Sequence, residues 1–240
     1  MSPSPLPQII DRLEAHYGEP DPPDVTDPWE MILWENIAYL ADDTRRREAM
    51  EMLRDRVGVT AEQILSAPAD RLLAVGRHGI LAENTVAKIV RAAEIAVREF
   101  DGDLTRIPAL PTAQARKALK RFPATGDPGA EKILLFGRAL PVLALESNGL
   151  RVLVRLGFGE ETPNYSKTYR LVQEAIEDEI VQEYPWLIKA HQILRRHGQE
   201  LCKRSKPRCG ECPLREQCPR AMAGTAHLET EDGPGRSKHP

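Results

Sequence analysis

The chain has 240 residues, of which 41% are hydrophobic and 29% charged, and its net charge at pH 7 is −3. No apolar run approaches the roughly 20 residues of a membrane-spanning helix, and the N-terminus lacks the basic and then apolar pattern of a signal peptide. These features exclude a membrane protein and predict a soluble, intracellular protein of one or two domains. The net charge gives no overall basic signal for nucleic-acid binding.

Apolar residues recur at helical spacing along most of the chain, and alternating strand patterns are scarce. The second predicted helix begins with Asp27 and Pro28 and is apolar nearly all round, which is typical of a central, buried helix. Glu35 and Asn36 interrupt its middle as candidate buried polar residues. The first half of the chain predicts helices over residues 5–17, 29–41, 45–57, 60–65, 68–75 and 81–100. The fold class is therefore predicted to be all-α.

A sharp turn between two helices stands near the middle of the chain. A helix over residues 112–121 ends at the turn, because Pro123 lacks an amide donor and Gly126 can adopt a positive φ. Asp127 is a suitable N-cap and Pro128 a suitable first residue for the next helix. A helix-hairpin-helix points backbone amides outward and suits a phosphate, whereas an ordinary helical turn is the alternative. The candidate binding residues are Pro123, Ala124, Thr125 and Gly126.

The remaining helices follow a single carboxylate, Glu146, that stands within an apolar run. Residues 152–156 fit a helix that ends at Gly157, and two longer helices are predicted over residues 165–182 and 186–202. The last 18 residues, 223–240, are rich in Gly, Pro and charge and are predicted to form a disordered tail.

All four cysteines fall within residues 202–218, with the spacing C-x6-C-x2-C-x5-C. Four thiols this close, in a chain without an export signal, indicate metal ligands rather than disulfides. A [4Fe–4S] cluster takes its cysteines from one compact loop. Structural zinc is the alternative, although zinc ribbons usually pair two C-x2-C knuckles across a longer gap. The predicted ligands are Cys202, Cys209, Cys212 and Cys218.

Positive charge is concentrated around these cysteines. Residues 184–220 contain nine Lys and Arg residues against three Glu residues, although the chain as a whole is acidic. A basic loop tethered to a cluster suits the backbone of a nucleic acid. Four basic residues lie between the first two cysteines and are candidate DNA ligands: Lys203, Arg204, Lys206 and Arg208.

The cysteine spacing, the preceding His197-Gly198 pair and the hairpin followed by a carboxylate resemble endonuclease III and its MutY-like relatives. These form the helix-hairpin-helix superfamily of base-excision DNA glycosylases. The resemblance covers the chain from Gln8 to Cys218. It implies a six-helix barrel over residues 27–138, a [4Fe–4S] cluster domain from residues 1–26 and 139–222, and a DNA cleft between them. It also implies a cytoplasmic, nucleoid-associated monomer that flips a damaged or mispaired base out of double-stranded DNA and cleaves its N-glycosidic bond.

Two positions depart from the pattern of this family. Bifunctional members carry a Lys after the hairpin, in Leu-Pro-Gly-Val-Gly-Arg-Lys-Thr-Ala, where this chain has Pro128. Pro offers no amine for a Schiff base, so a lyase mechanism is not expected from this position. The Asp of the family's Pro-x-x-Ala-x-Asp pattern is replaced by Glu146. The resemblance implies that this carboxylate stabilises the oxocarbenium-like sugar and helps a water molecule to attack it.

Glu35 falls where MutY-like members carry a general-acid Glu, counted from Pro28-Trp29. Burial among apolar neighbours can keep such a carboxyl protonated, whereas an ion pair with a core Arg is the alternative. Tyr39 and Leu40 replace the Gln residues that relatives place one turn later, so specificity for adenine opposite 8-oxoguanine is not implied. In this family a loop before the fourth helix enters the duplex, and the apolar Ile80-Leu81 pair fits that role or a buried turn.

The sequence therefore predicts a monofunctional DNA glycosylase with Glu146 and Glu35 as catalytic residues. A DNA-binding or damage-sensing protein that keeps the scaffold without the chemistry is the second interpretation. A bifunctional glycosylase with AP lyase activity through a different Lys is the third. His78, His191 and His197 are interpreted as structural or solvated rather than as metal ligands.

Overall fold

The computed structural model describes residues 4–37 and 43–226, with side chains to residue 223. In this part of the chain every regular element is helical, which confirms the predicted all-α fold. Three short 3₁₀ turns lie at Ile107–Ala109, Cys209–Glu211 and Arg215–Gln217. The described α-helices are α1 (Leu6–Tyr17), α2 (Pro28–Ile37), α3 (Asp43–Arg56), α4 (Ala61–Ser66), α5 (Ala69–Gly76), α6 (Ala82–Phe100), α7 (Thr112–Leu119), α8 (Asp127–Phe136), α9 (Ser147–Leu156), α10 (Tyr165–Ile176), α11 (Tyr184–Glu200) and α12 (Pro219–Ala226).

The described residues form two compact units. One consists of residues 4–21 and 145–226, and the other of residues 22–37 and 43–144. The units divide at residues 21/22 and 144/145, whereas the sequence suggested 26/27 and 138/139. No helix within residues 4–37 and 43–226 is long and apolar enough to cross a membrane.

Helix α2 lies at the centre of the unit formed by residues 22–144. It packs against α3, α6 and α8 and buries Ile32, Leu33 and Ile37 completely. The amide of Asn36 is also fully buried and donates to the carbonyl oxygens of Ile32 and Pro123, at 2.8 and 3.0 Å. A buried polar group needs such partners, so this amide fixes the hairpin turn against the central helix.

Helices α9 and α11 form the centre of the other unit, and two glycines let them approach closely. A Cβ atom at Gly198 would lie 2.7 Å from the carbonyl oxygen of Asn148, and one at Gly149 would lie 3.4 Å from Leu194. Helix α1 packs against α11 with Leu6, Ile9, Ile10 and Leu13 fully or almost fully buried. The N-terminal helix is therefore part of the same unit as the cysteine loop.

The backbone of the hairpin differs from the predicted one. Gly126 is extended, with φ −85° and ψ −167°, and Ala124 instead adopts the left-handed conformation, with φ 55°. Gly126 is also the N-cap of α8, so Asp127 is its first residue and pairs with Lys120 at 2.7 Å. In the family pattern the residue at the position of Ala124 is Gly. Because a side chain disfavours the left-handed region, the turn carries local strain.

Replacing Ala124 with Gly is therefore expected to stabilise the fold by about 1 kcal/mol, since the strain of roughly 1–2 kcal/mol exceeds the entropy that Gly adds to the unfolded chain. The check is urea unfolding followed by circular dichroism. The control is Ala118→Gly in helix α7, where the same change is expected to destabilise the fold by about 1 kcal/mol. Equal destabilisation by both variants would contradict the strained turn.

Two helix boundaries also differ from the predictions. Helix α10 ends at Ile176, not at residue 182, because Glu177, Asp178 and Glu179 follow and place negative charge at the negative end of the helix dipole. Helix α12 reaches Ala226 within the predicted tail. Residues 227–240, and the predicted extension of α2 through Tyr39 and Leu40, lie outside the described residues.

Candidate functional site

The four cysteines lie in one unit and line one cavity. Cys202 follows α11, Cys209 and Cys212 flank a 3₁₀ turn, and Cys218 precedes α12. None of them forms a disulfide. The described residues that line the cavity include no Asp or Glu, so its candidate metal-binding atoms are the four sulfurs and the ring nitrogens of His197. Burial is the main cause that raises the pKa of Cys212 to about 11, so its thiolate needs a bound cation.

Zinc and a [4Fe–4S] cluster require different spacings of the four thiols. Among the residues that the structure describes, no three His, Cys, Asp or Glu side chains converge closely enough to hold one metal ion. Tetrahedral zinc requires sulfur atoms at about 2.3 Å from a single ion. In a [4Fe–4S] cluster each thiolate binds a different iron atom, so the sulfur atoms lie further apart.

His197 and Tyr17 connect this site to the N-terminal helix. His197 is 1% exposed, and its Nε2 lies 3.5 Å from the Sγ atom of Cys212, while its Nδ1 lies 3.0 Å from the hydroxyl of Tyr17. Burial, followed by the nearby His16, lowers the pKa of His197 to about 4, so the ring is neutral. A metal-bound thiolate accepts hydrogen bonds, so Nε2 carries the proton and Nδ1 accepts from Tyr17.

Two arginines of α9 hold the first part of the cysteine loop. Arg155 donates from Nη1 to the Sγ atom of Cys202 at 3.3 Å and to the carbonyl oxygen of Lys203 at 2.8 Å. Arg151 donates to the carbonyl oxygens of Cys202 and Gly198, at 2.9 and 2.7 Å. These contacts satisfy the backbone of the loop and place positive charge beside a cluster ligand.

Replacing Tyr17 with Phe is expected to lower the reduction potential of the cluster. Without the hydroxyl, Nδ1 of His197 loses its donor and the tautomer that donates to Cys212 is no longer fixed. Hydrogen bonds to a ligating sulfur stabilise the reduced, more negative cluster, so losing one favours the oxidised form. A potentiometric titration measures the shift, and Tyr184→Phe at the start of α11 is the control. An unchanged potential in Tyr17→Phe would show that the relay has no effect on the cluster.

Glu146 is the N-cap of α9. Its Oε1 accepts the backbone N–H of Gly149 at 2.7 Å, and its Oε2 accepts from Nδ2 of Asn148 at 2.8 Å. Two donors and the positive end of the helix dipole therefore stabilise a negative charge here. Burial, and then the charge of Glu146, raise the pKa of Tyr165 to about 12. The sequence did not predict that Glu146 caps a helix.

Glu35 forms an ion pair with Lys132 of α8, and both side chains are largely buried, at 21% and 14% exposure. Its partner is therefore Lys132 and not the core Arg that the ion-pair alternative named. An ammonium beside a carboxylate favours its charged form, whereas a general acid must carry a proton. Lys132 lies one helical turn after Pro128, so the pair lies close to the hairpin in the chain.

The candidate DNA-binding residues differ in exposure. In the hairpin, Ala124 and Gly126 are exposed, but Thr125 is 6% exposed and its hydroxyl donates to the carbonyl oxygen of Pro123 at 3.2 Å. Thr125 therefore contributes to the turn and not to its outer surface. In the cysteine loop Lys203, Arg204 and Lys206 are exposed. Arg208 is also exposed but pairs with Glu211.

Ile80 and Leu81 are the most exposed large apolar side chains of the described residues. They precede α6 and are 61% and 64% exposed. The alternative of a buried turn is therefore excluded. An exposed apolar tip of this kind fits the step between two base pairs.

Known proteins resemble the chain both in the cysteine loop and over most of its length. Residues 202–218 match the iron–sulfur binding domain of endonuclease III. The chain is 36% identical to endonuclease III of Rickettsia conorii over 107 residues, which cover 42% of the chain and 45% of that relative. It is 22% identical to endonuclease III of Escherichia coli K12 over 215 residues, which cover 88% of the chain and 93% of that relative.

A solved structure of endonuclease III, trapped as a covalent intermediate with DNA, superimposes with a TM-score of 0.70 and 19% identity. The superposition covers 92% of this chain and 98% of the endonuclease III chain, and it shows that the two share a fold. The local alignments with the three Rickettsia proteins span 45% of their length. The match over residues 202–218, the segment that contains all four cysteines, confirms the predicted cofactor, a [4Fe–4S] cluster.

Proposed function

The chain belongs to the endonuclease III-like helix-hairpin-helix glycosylase superfamily, and on this premise we propose that it is a monofunctional DNA glycosylase of base excision repair. Its substrate is a damaged or mispaired base in double-stranded DNA. The reaction is hydrolysis of the N-glycosidic bond after the nucleotide has left the base stack. The cluster organises the basic loop that binds DNA.

The position of Glu146 carries this proposal. Its carboxylate is held by Gly149 and Asn148 at the N-terminus of a ten-residue helix. A fixed negative charge of this kind stabilises the positive charge that develops on the sugar as the base leaves. The same carboxylate can orient a water molecule toward the anomeric carbon. Because the oxygens are fixed before the reaction, little reorganisation is needed.

Pro128 supports hydrolysis over a lyase reaction. It lies in the first turn of α8, at the place of the amine nucleophile in bifunctional relatives, and it has no amine to form a Schiff base. Without a covalent sugar intermediate, the strand is not cleaved by β-elimination. The expected product is therefore an abasic site in an intact strand.

The Glu35–Lys132 pair is the proposed proton source for the departing base. In the free protein the proton lies on Lys132, next to the carboxylate of Glu35. Excluding water around the pair strengthens their interaction and favours a shared proton, which Glu35 can then pass to the base. Glu35 thus keeps the role that the sequence suggested, but Lys132 supplies the proton.

The direct test is incubation of the holoprotein with oligonucleotide duplexes that each contain one lesion or mismatch. Alkali then converts each abasic site into a strand break that is resolved on a gel. Release of at least one base, with strand cleavage only after alkali, is the expected result. Cleavage before alkali in the purified protein would contradict the monofunctional assignment.

A DNA-binding protein without catalytic activity is the second candidate. The observation that favours it is that both carboxylates have structural partners: Glu146 caps α9 and Glu35 pairs with Lys132. Tight binding to the lesion panel without release of any base would support this candidate. Binding is measured by fluorescence anisotropy on the same oligonucleotides, so both results come from one preparation.

Replacing Pro128 with Lys is expected to create a covalent complex that borohydride can trap. The substitution places an amine in the first turn of α8, where Lys is tolerated and where bifunctional relatives carry it. We expect no trapped complex with the unchanged protein and a clear shifted band with Pro128→Lys. Lys132→Met is the control for a bifunctional enzyme that uses a different Lys as its nucleophile. If borohydride traps the unchanged protein but not Lys132→Met, then Lys132 is that nucleophile and the protein is bifunctional.

A further inference from the structure

A second cavity lies beside the cysteine loop, on the outer face of α9. Its volume is about 710 Å³, within the range of small-molecule sites in proteins. Its lining includes the apolar Leu150 and Val154 of α9, residues 161–163, Tyr165 and the start of α12. All of these residues belong to the unit that contains the cluster. The proposed catalytic residues Glu35 and Glu146 do not line it.

Four arginines from three segments line this cavity, against one carboxylate, that of Glu161. They are Arg151 and Arg155 of α9, Arg204 of the cysteine loop and Arg220 of α12. The contacts of Arg151 with carbonyl groups and an amide use its hydrogens without neutralising its charge, whereas Arg155 also contacts the Sγ atom of Cys202, which offsets part of its charge. The cavity therefore has a positive potential that an anion would neutralise.

The charges affect one another. Like charges held together in this way destabilise the free protein, and binding of an anion removes part of that repulsion. Arg204 and Arg220 are exposed, so their guanidinium groups are accessible to a ligand.

One wall of the cavity is aromatic. Tyr165, the first residue of α10, lines it and is 45% exposed, and its ring stacks against that of Tyr169. Nucleobases stack on exposed aromatic rings, and phosphates bind guanidinium groups in a bidentate manner. We propose that this cavity binds a nucleotide, with its phosphates on Arg204 and Arg220 and its base against Tyr165.

Two sources can supply this chemistry, namely a free nucleotide and a single-stranded segment of a DNA substrate. The second source rests on the proposed function, because it requires DNA to be the partner. Binding of a free nucleotide does not rest on the proposed function, because it is independent of whether the protein releases a base. Deoxyadenosine triphosphate represents the free nucleotide, inorganic tripolyphosphate its phosphates alone, and a short oligothymidine the single strand.

The test measures binding of the three probes to the full-length protein with its cluster by calorimetry and fluorescence anisotropy. Arg220→Gln is expected to weaken nucleotide binding roughly 10- to 100-fold, the effect of one charge-assisted hydrogen bond. It should also reduce the salt dependence of oligothymidine binding by one phosphate contact, about 0.7 in the slope. Tyr165→Leu should weaken binding of deoxyadenosine triphosphate but not of tripolyphosphate. Arg215→Gln is the control, because it removes the same charge outside the cavity.

Binding of deoxyadenosine triphosphate that depends on Arg220 and Tyr165 supports a free nucleotide, and binding of oligothymidine alone supports a DNA strand. Tripolyphosphate that binds as tightly as the triphosphate overturns the nucleotide assignment. So does an equal loss of affinity in Arg220→Gln and Arg215→Gln, or no binding of any probe. Base release is measured on the same preparations: active protein without Arg220-dependent binding disproves only this site. Inactive protein with such binding disproves only the glycosylase.

Discussion

Replacing Glu146 with Gln is expected to lower the rate of base release by on the order of 10²–10³-fold, the effect of removing one preorganised charge from a transition state. The amide keeps the size of the side chain but cannot balance the positive charge on the sugar. DNA affinity is expected to remain, because the hairpin and the basic loop do not change. Single-turnover base release and anisotropy on the same lesion duplex measure the two quantities.

The structure predicts how the Glu146→Gln variant folds. The oxygen of the new side-chain amide can still accept from the N–H of Gly149, but its NH₂ group would face the donating amide of Asn148. Only one of the two hydrogen bonds therefore remains, and weakening an N-cap in this way costs about 1 kcal/mol. This cost is small enough for the variant to remain folded, which circular dichroism checks.

Glu146→Asp is the matched control, because it keeps the charge and restores the residue of the family pattern. Asp is also a better N-cap than Glu, so its carboxylate should be held at least as firmly at α9. We expect Glu146→Asp to retain or increase base release. If Gln and Asp variants both match the unchanged protein, Glu146 serves only as a helix cap and the catalytic carboxylate is elsewhere.

The features that sequence predicted well depend on residues close together in the chain. The cysteine spacing lies within 17 consecutive positions, and the helix predicted over residues 60–65 is present as α4, which a capping box of Thr60 and Gln63 begins within one helical turn. Helical periodicity gave the fold class for the same reason, since it reports on one face of one helix. Each of these patterns is fixed by local geometry, whatever the rest of the chain does.

The features that sequence missed depend on distant pairs. Lys132 and Glu35 are 97 residues apart, and Tyr17 and His197 are 180 apart, so no spacing rule could join them. A largely buried carboxylate needs a partner, which made an ion pair for Glu35 foreseeable but not its identity. At the hairpin, the pattern located the turn correctly, but the strained residue proved to be Ala124, because Gly126 is used as the N-cap of α8.

The second large effect is expected at the cluster. Replacing Cys212 with Ala removes one of four ligands, and we expect loss of iron and of the yellow-brown absorbance. The segment between Cys202 and Cys218 has only two 3₁₀ turns, and Leu214 is its only fully buried apolar side chain among the described residues. So small a core cannot fold the segment by itself, and metal binding supplies its folding free energy.

Three consequences follow from the loss of this segment's structure. Trypsin should cleave after Lys203, Arg204 and Arg208, which the ordered loop protects only while the cluster holds it. DNA affinity should fall as well, and the salt dependence of binding should decrease by about 0.9 for each phosphate that the loop no longer binds. Residues 22–144 have a separate hydrophobic core, so their helical signal should persist after the loop has lost its structure.

Gly210→Ala is the control for this prediction, since a Cβ atom at Gly210 would meet no atom within 4 Å. It changes the same loop without touching a ligand, and it should retain iron, resistance to trypsin and DNA affinity. Stoichiometric zinc in the unchanged protein would contradict the cluster. If Cys212→Ala loses iron but resists trypsin and binds DNA as before, the cluster does not organise the basic loop, and the phosphate contacts must be supplied by the hairpin alone.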